Sequence, residues 1–243
     1  MKYVLDSHTH TIASGHAYST LHEMAREAAE KGLELLGITE HSMTMPGTCH
    51  EYHFQNMRML PREMYGIQVM HGAEVNIIGF DGRMDMKDSL LEKMDVVIAS
   101  LHMPCIKPGT KEENTAALLH VMENPYVNII GHPDDSRYPV DYERLVKAAK
   151  EHHVLLELNN TSLHPKSSRK DAEPNDEVML GLCMKYEVPI ILGSDAHTQE
   201  DIGNRRYTMP LLERLNFPEE LIVNRSVEEY QKYINRFQSL GLQ

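Results

Sequence analysis

The residue types that bind divalent metals are not scattered along this chain; they follow short apolar runs. Tyr3-Val4-Leu5 leads into Asp6-Ser7-His8-Thr9-His10, and Leu36-Gly37-Ile38-Thr39 leads into Glu40-His41. Val69-Met70-His71-Gly72-Ala73 ends on Glu74, and Val96-Val97-Ile98-Ala99-Ser100-Leu101 on His102. Val127-Asn128-Ile129-Ile130-Gly131 ends on His132, and Ile190-Ile191-Leu192-Gly193-Ser194 on Asp195-Ala196-His197. Apolar runs this short read as strands buried on both faces. A barrel gathers donors from many strand exits around one point.

Helical patterns fill the gaps between these strands. Thr20 and Glu23 form a capping box ahead of Leu21, Met24, Ala25, Ala28 and Ala29, a one-face pattern that ends at Lys31-Gly32. Asp141 opens a second helix with Tyr142, Leu145, Val146 and Ala149 on one face. Pro174 opens a third, with Val178, Met179, Leu182, Cys183 and Tyr186. Weaker helices are predicted over Glu112 to Glu123 and Asp88 to Met94, and Val154 to Leu158 adds a seventh strand. Alternating strands and helices pair in parallel through right-handed crossovers. The expected fold is a (β/α)7 barrel, one domain over residues 1–243, completed by C-terminal helices over 209–240. A chain of 243 residues with 41% hydrophobic content suits one such core.

Charge limits the partners. Lys and Arg number 24 against 36 Asp and Glu, a net charge of −12, which opposes general affinity for long nucleic acids or anionic membranes. No run approaches membrane-spanning length, and no basic region followed by an apolar stretch resembles a signal peptide. Cys49, Cys105 and Cys183 have no Cys-x-x-Cys spacing, so free thiols in a reducing cytoplasm are expected. Cys105, shortly after His102, is the thiol closest in sequence to a candidate ligand.

In a strand, residues two apart face the same way, so His8 and His10 can reach one ion. With His16, His41, Glu74, His102, His132, Asp195 and His197 they make nine candidate donors. One Zn²⁺ takes about four protein ligands, or three plus water. The set therefore fits three divalent ions with open positions, Zn²⁺ first and Mn²⁺ or Fe²⁺ as alternatives. Glu74 is the expected bridge between cations, and a hydroxide shared by two metals the expected nucleophile. Seven neutral imidazoles and two carboxylates around three such ions leave the pocket at roughly +4, enough to attract an anion despite the acidic surface.

The other histidines have ordinary settings: His22 and His120 within helices, His152 and His153 at a helix end, His71 within a strand, and His164 in a loop. The irregular stretches Thr44 to Arg62, with His50 and His53, and Ser162 to Asp176, together with Tyr138, are expected to shape access to the site. Arg137, Lys166, Arg205 and Arg206 are candidate substrate clamps.

The motifs Asp6-Ser7-His8-Thr9-His10, Thr39-Glu40-His41, Gly72-Ala73-Glu74, Ser100-Leu101-His102, Gly131-His132-Pro133 and Gly193-Ser194-Asp195-Ala196-His197 resemble those of the PHP family, named for polymerase and histidinol phosphatase. Within it the chain is similar to the YcdX-type branch of small stand-alone phosphatases. The resemblance implies a distorted (β/α)7 barrel and a trinuclear centre, and it allows a homotrimer. It implies one metal on His8, His10, Glu74 and Asp195, a second sharing Glu74 with His102 and His132, and a third on His16, His41 and His197.

The reading that follows is hydrolysis of a small phosphomonoester, with no general acid or substrate-binding residue assigned. The alternatives are histidinol phosphatase, a nucleotide phosphodiesterase or exonuclease, an amidohydrolase, and a non-enzymatic metal-binding module. The net charge of −12 counts against long nucleic acids. An amidohydrolase-like binuclear site would leave His16, His41 and His197 unused, and a binding module has no need of open coordination positions.

Overall fold

The computed structural model describes residues 2–234. Among them, strands β1 (Leu5–Asp6), β2 (Leu35–His41), β3 (Glu63–Met64), β4 (Ile67–Asn76), β5 (Val97–Ser100), β6 (Ile129–Ile130), β7 (Leu155–Asn159) and β8 (Ile190–Gly193) form one sheet. Seven of them run parallel in the order β1-β2-β4-β5-β6-β7-β8, and β3 pairs antiparallel with β4. The seven parallel strands are those read from the sequence. β3 was not foreseen, because it has two residues and closely follows Pro61 at the end of an irregular stretch.

Helices cover the crossovers, α1 (Leu21–Glu30), α2 (Glu51–Asn56), α3 (Asp88–Leu91), α4 (Lys111–Met122), α5 (Tyr142–His152) and α6 (Ala172–Tyr186), and α7 (Thr208–Leu215) and α8 (Val227–Ile234) follow the last strand. The Thr20–Glu23 capping box is present, and Thr110 with Glu113 forms a second one that fixes the start of α4. Asp141 caps α5 by accepting from the Arg144 amide. α6 begins two residues before Pro174, since a proline in the first turn removes an N–H that has no helical partner anyway. Val178, expected on its buried face, is exposed. Of the helices expected over 209–240, residues 235–240 lie outside the described residues.

The barrel is nearly closed, and its seam explains the distortion. At the C-terminal end of the strands β1 and β8 meet through a parallel bridge between Thr9 and Ala196, with Asp195 N–H donating to His8 O at 2.9 Å. At the other end the strands part, and Asn224 stands between them. Its amide donates to Leu5 O (3.2 Å) and Leu192 O (2.8 Å) and accepts from Leu192 N–H (2.7 Å). One side chain thus satisfies backbone groups that sheet pairing would have satisfied.

Alternation divides the strands. Val97, Ala99, Ile130, Leu156, Leu158, Ile190 and Leu192 face the helices. Leu5, Leu35, Ile98, Ile129, Leu155 and Ile191 fill the barrel floor together with Val223 and Tyr230 from the C-terminal segment. One layer above this apolar floor the inward positions turn polar, and the metal-binding residue types sit there.

Candidate metal centre

Register sets the site. His41 pairs with Glu74 across β2 and β4, so both side chains project to the same side. His8 and His10 follow β1, His102 follows β5, His132 follows β6, and Asp195 and His197 follow β8. His16 arrives on the turn after the short 3₁₀ helix Ile12–Ser14. His132 (φ 29°) and Asp195 (φ 56°) have left-handed backbone, which costs non-glycine residues energy and recurs at functional sites.

Glu74 is fully buried at the centre. Its Oε2 lies 2.7 Å from His41 Nδ1, 3.5 Å from His8 Nε2 and 3.6 Å from His10 Nε2, and its Oε1 lies 2.8 Å from His132 Nε2 and 3.2 Å from His102 Nε2. Asp195 Oδ1 lies 3.3 Å from His10 Nε2 and 3.6 Å from both His8 Nε2 and His197 Nδ1. His16 stacks on His41 and leans on His197, with ring centroids 4.8 and 4.9 Å away. Eight of the nine predicted positions bring donor atoms together, and His16 adjoins them through its ring without entering a donor set.

The atoms that face inward include buried groups that lie close to a carboxylate or to each other yet make no aligned hydrogen bond: Nε2 of His8, His10 and His102, Nδ1 of His41, and Oε2 of Glu74. Buried polar atoms are rarely left unsatisfied, and exceptions call for an explanation. Four overlapping sets of three donors each lie within 4.8 Å: His10–His41–His197, His8–His132–Asp195, His8–His10–Glu74 and His41–Glu74–His102. Imidazole nitrogens with a central carboxylate are the donor chemistry of Zn²⁺ and its neighbours, so these residues fit such ions.

Opposite charges set the protonation states. Burial alone would raise the Glu74 carboxyl, but His102, His8 and His41 outweigh it and hold Glu74 well below the usual range. Burial likewise opposes ionisation of Asp195, which His8 and Arg169 hold well below it. Burial pushes His16 down to about 4, assisted by His41 and His197, and lowers His10 and His102. His8 goes the other way: burial opposes its charge, but Glu157, Glu74 and Asp195 raise it well above the ordinary histidine value. Imidazoles bind metal in the neutral form, so a metal at His8 must displace that proton.

A second layer of residues, not singled out in the sequence, orients the first. Glu157 Oε1 lies 2.6 Å from His8 Nδ1, and its Oε2 accepts from His132 N–H at 2.9 Å. Asn76 Oδ1 lies 2.7 Å from His102 Nδ1. Glu40 accepts from Ser14 Oγ, whose oxygen meets His10 Nδ1 at 3.1 Å and accepts from His41 N–H at 3.0 Å. Such partners fix the tautomer and direction of a ligating ring. Gly193 makes room for Glu157: a Cβ there would lie 1.8 Å from Glu157 Oε1.

A cavity of about 670 Å³ opens above the cluster, with His16, His41, His102, Asp195 and His197 exposed to it. The 161–169 segment, including His164 and Lys166, forms one wall, and Met45, Leu101, Met103 and Pro104 make an apolar face. The stretch 44–62 contributes only Met45, because α2 turns the rest away; His50 caps that helix instead of facing the cavity. Of the expected clamps, Arg137 lines the cavity but is locked to Asp135, and Arg205 donates to Leu5 O and packs on Tyr3. Arg206 lies over the Tyr207 ring and is not among the cavity residues. Tyr138 is buried, its hydroxyl donating to Ile106 O at 2.6 Å. Cys105 belongs to none of the donor sets, and burial holds its thiol protonated.

Residues 6–163 match the PHP domain. The chain belongs to the PHP family. Across 96% of its length it is 49% identical to a probable phosphatase of Clostridium novyi, covering 95% of that protein. It is 45% identical to a probable phosphatase of Acetivibrio thermocellus over 97% of each chain. The crystal structure of histidinol phosphate phosphatase from Lactococcus lactis, complexed with zinc, L-histidinol and phosphate, shares the PHP fold at a TM-score of 0.62. That match covers 89% of this chain and 95% of the other at 20% identity. No helix among the described residues is long and apolar enough to cross a membrane.

Proposed function

We propose that this PHP protein is a single-domain, metal-dependent phosphatase acting on a small phosphomonoester at a centre of three divalent ions. The observation that carries the reading is the convergence of buried donor atoms without aligned hydrogen bonds on Glu74 and Asp195 beneath an open cavity. Its relatives' names as probable phosphatases direct it toward phosphate esters.

His8, His10, Glu74 and Asp195 would hold one ion, Glu74, His102 and His132 a second, and His16, His41 and His197 a third. Bound there, zinc, manganese or iron supplies Lewis acidity and a water activated near neutral pH. The protein's share is orientation. Glu157, Asn76 and Ser14 fix three imidazoles with Nε2 inward, and Glu74 holds negative charge where cations would otherwise repel one another. The apolar wall from Met45 to Pro104 excludes water on one side, and Lys166 adds positive charge on the other.

The test is metal-quantified protein assayed for release of inorganic phosphate from an aryl phosphate, beside single-stranded DNA and a cyclic amide. Metal content near three per chain and preferential monoester cleavage are expected. At most one metal after reconstitution with Zn²⁺ or Mn²⁺ sinks the three-ion centre, and faster DNA or amide cleavage overturns the substrate class.

A further inference from the structure

Among the described residues, Arg169 is the one arginine or lysine hydrogen-bonded to the first ring of candidate ligands. Its side chain is 14% exposed. Nη2 donates to Asp195 Oδ2 at 3.1 Å, while Nη1 donates to Asn159 Oδ1 at 3.3 Å and Ser162 Oγ at 3.2 Å. These acceptors belong to three different places: the exit of β8, the end of β7, and the loop between β7 and α6.

The two oxygens of Asp195 therefore have separate tasks. Oδ1 faces His8, His10 and His197, whereas Oδ2 is taken by Arg169 and by Asn159 Nδ2 at 3.3 Å. Asn159 Nδ2 also donates to Glu157 Oε2 at 3.0 Å, which links the arginine to the partner of His8.

Resting on the metal-centre reading above, we infer that Arg169 is a positioning residue: it restricts Asp195 to one metal-facing oxygen and fastens the 160–171 loop to the metal centre. A carboxylate free to chelate with both oxygens would fill a coordination position that water or substrate needs. The same guanidinium ties cavity wall to cavity floor, so loop order and metal retention depend on one side chain. Lysine cannot replace it, because a single ammonium does not present the planar fork that reaches three fixed acceptors.

The experiment compares wild type, Arg169→Lys, Arg169→Gln and Lys166→Ala, each loaded with Zn²⁺ in phosphate-free buffer. Chelator titration, melting temperature and proteinase K cleavage of the loop are measured, none of which needs turnover. Both Arg169 variants are expected to release metal at chelator concentrations at least about tenfold lower, the usual scale for outer-layer partners of ligands. Their loops are cut faster, and Lys166→Ala retains metal as wild type does. Arg169→Lys retains the positive charge and serves as the folded comparison should Arg169→Gln melt early. Wild-type metal retention by Arg169→Lys at an unchanged melting temperature overturns the proposal. So does a smaller rise in melting temperature on adding inorganic phosphate with metal retention unchanged, which would make Arg169 a phosphate contact instead. Wild-type protein that takes up no metal overturns the reading beneath it.

Discussion

Replacing Glu157 by Gln changes one atom at a site where charge and hydrogen-bond count both matter. The carboxylate accepts from three directions: His8 Nδ1 at 2.6 Å, His132 N–H at 2.9 Å and Asn159 Nδ2 at 3.0 Å. Glutamine offers one acceptor oxygen and an NH₂ group. Turned toward His8, its oxygen leaves the NH₂ facing two donors; turned the other way, the NH₂ faces the His8 ring. At least one buried donor loses its partner, at about 1–3 kcal/mol, and the charge-assisted bond to His8 loses about 1–2 kcal/mol more. The fold and the metal share that loss. The part transmitted through His8 should weaken metal binding by about 10–100-fold. Chelator titration reads the metal share, and melting of metal-free protein reads the remainder. Metal affinity within about twofold of wild type together with an unchanged melting temperature would show that Glu157 is an ordinary strand carboxylate.

The sequence carried the strand exits because burial and chemistry agree there: an apolar run must end where inward positions turn polar. Glu157 shows what that pattern leaves out. It stands inside an apolar run, Leu155-Leu156-Glu157-Leu158, where a lone acid facing the barrel needs a partner; the signal was present, but the partner, His8, is 149 residues away. Arg169 had no such signal, since by composition it equals Lys166 and Lys170 in the same polar loop, and only the loop's return toward β8 distinguishes it. Arg205 misleads in the opposite direction, a loop arginine that binds a backbone carbonyl of β1. The seam was unreadable for a similar reason. Asn224 acts by spanning two strands that are adjacent only after the barrel has curled around.

Four other substitutions test three separate links. Glu74→Gln should lose at least one metal by elemental analysis and about a hundredfold or more in turnover, because the central anion is gone; His71→Gln, whose ring bonds Pro61 O outside the cluster, should retain its metals, and the reverse pattern would reassign β4. Gly193→Ala places a Cβ 1.8 Å from Glu157 Oε1 and 3.2 Å from His8 Cβ, so a loss of about 1–3 kcal/mol in denaturant unfolding is expected, and wild-type stability would refute that packing. Asp176→Asn is expected to stabilise. Neither Asp176 oxygen has a hydrogen-bond partner, and burial, with Asp134 and Glu157 adding to it, holds the carboxyl well above its ordinary 3.8. The folded chain thus binds this proton more tightly than the unfolded chain, and stability falls as pH rises from about 3.8 through the folded value. Asparagine resembles the protonated acid and escapes that cost. Melting of metal-free protein should show a gain for Asp176→Asn that is larger at pH 8 than at pH 5; a gain that is constant or grows on acidification would mean that the buried carboxyl is ionised and partnered after all.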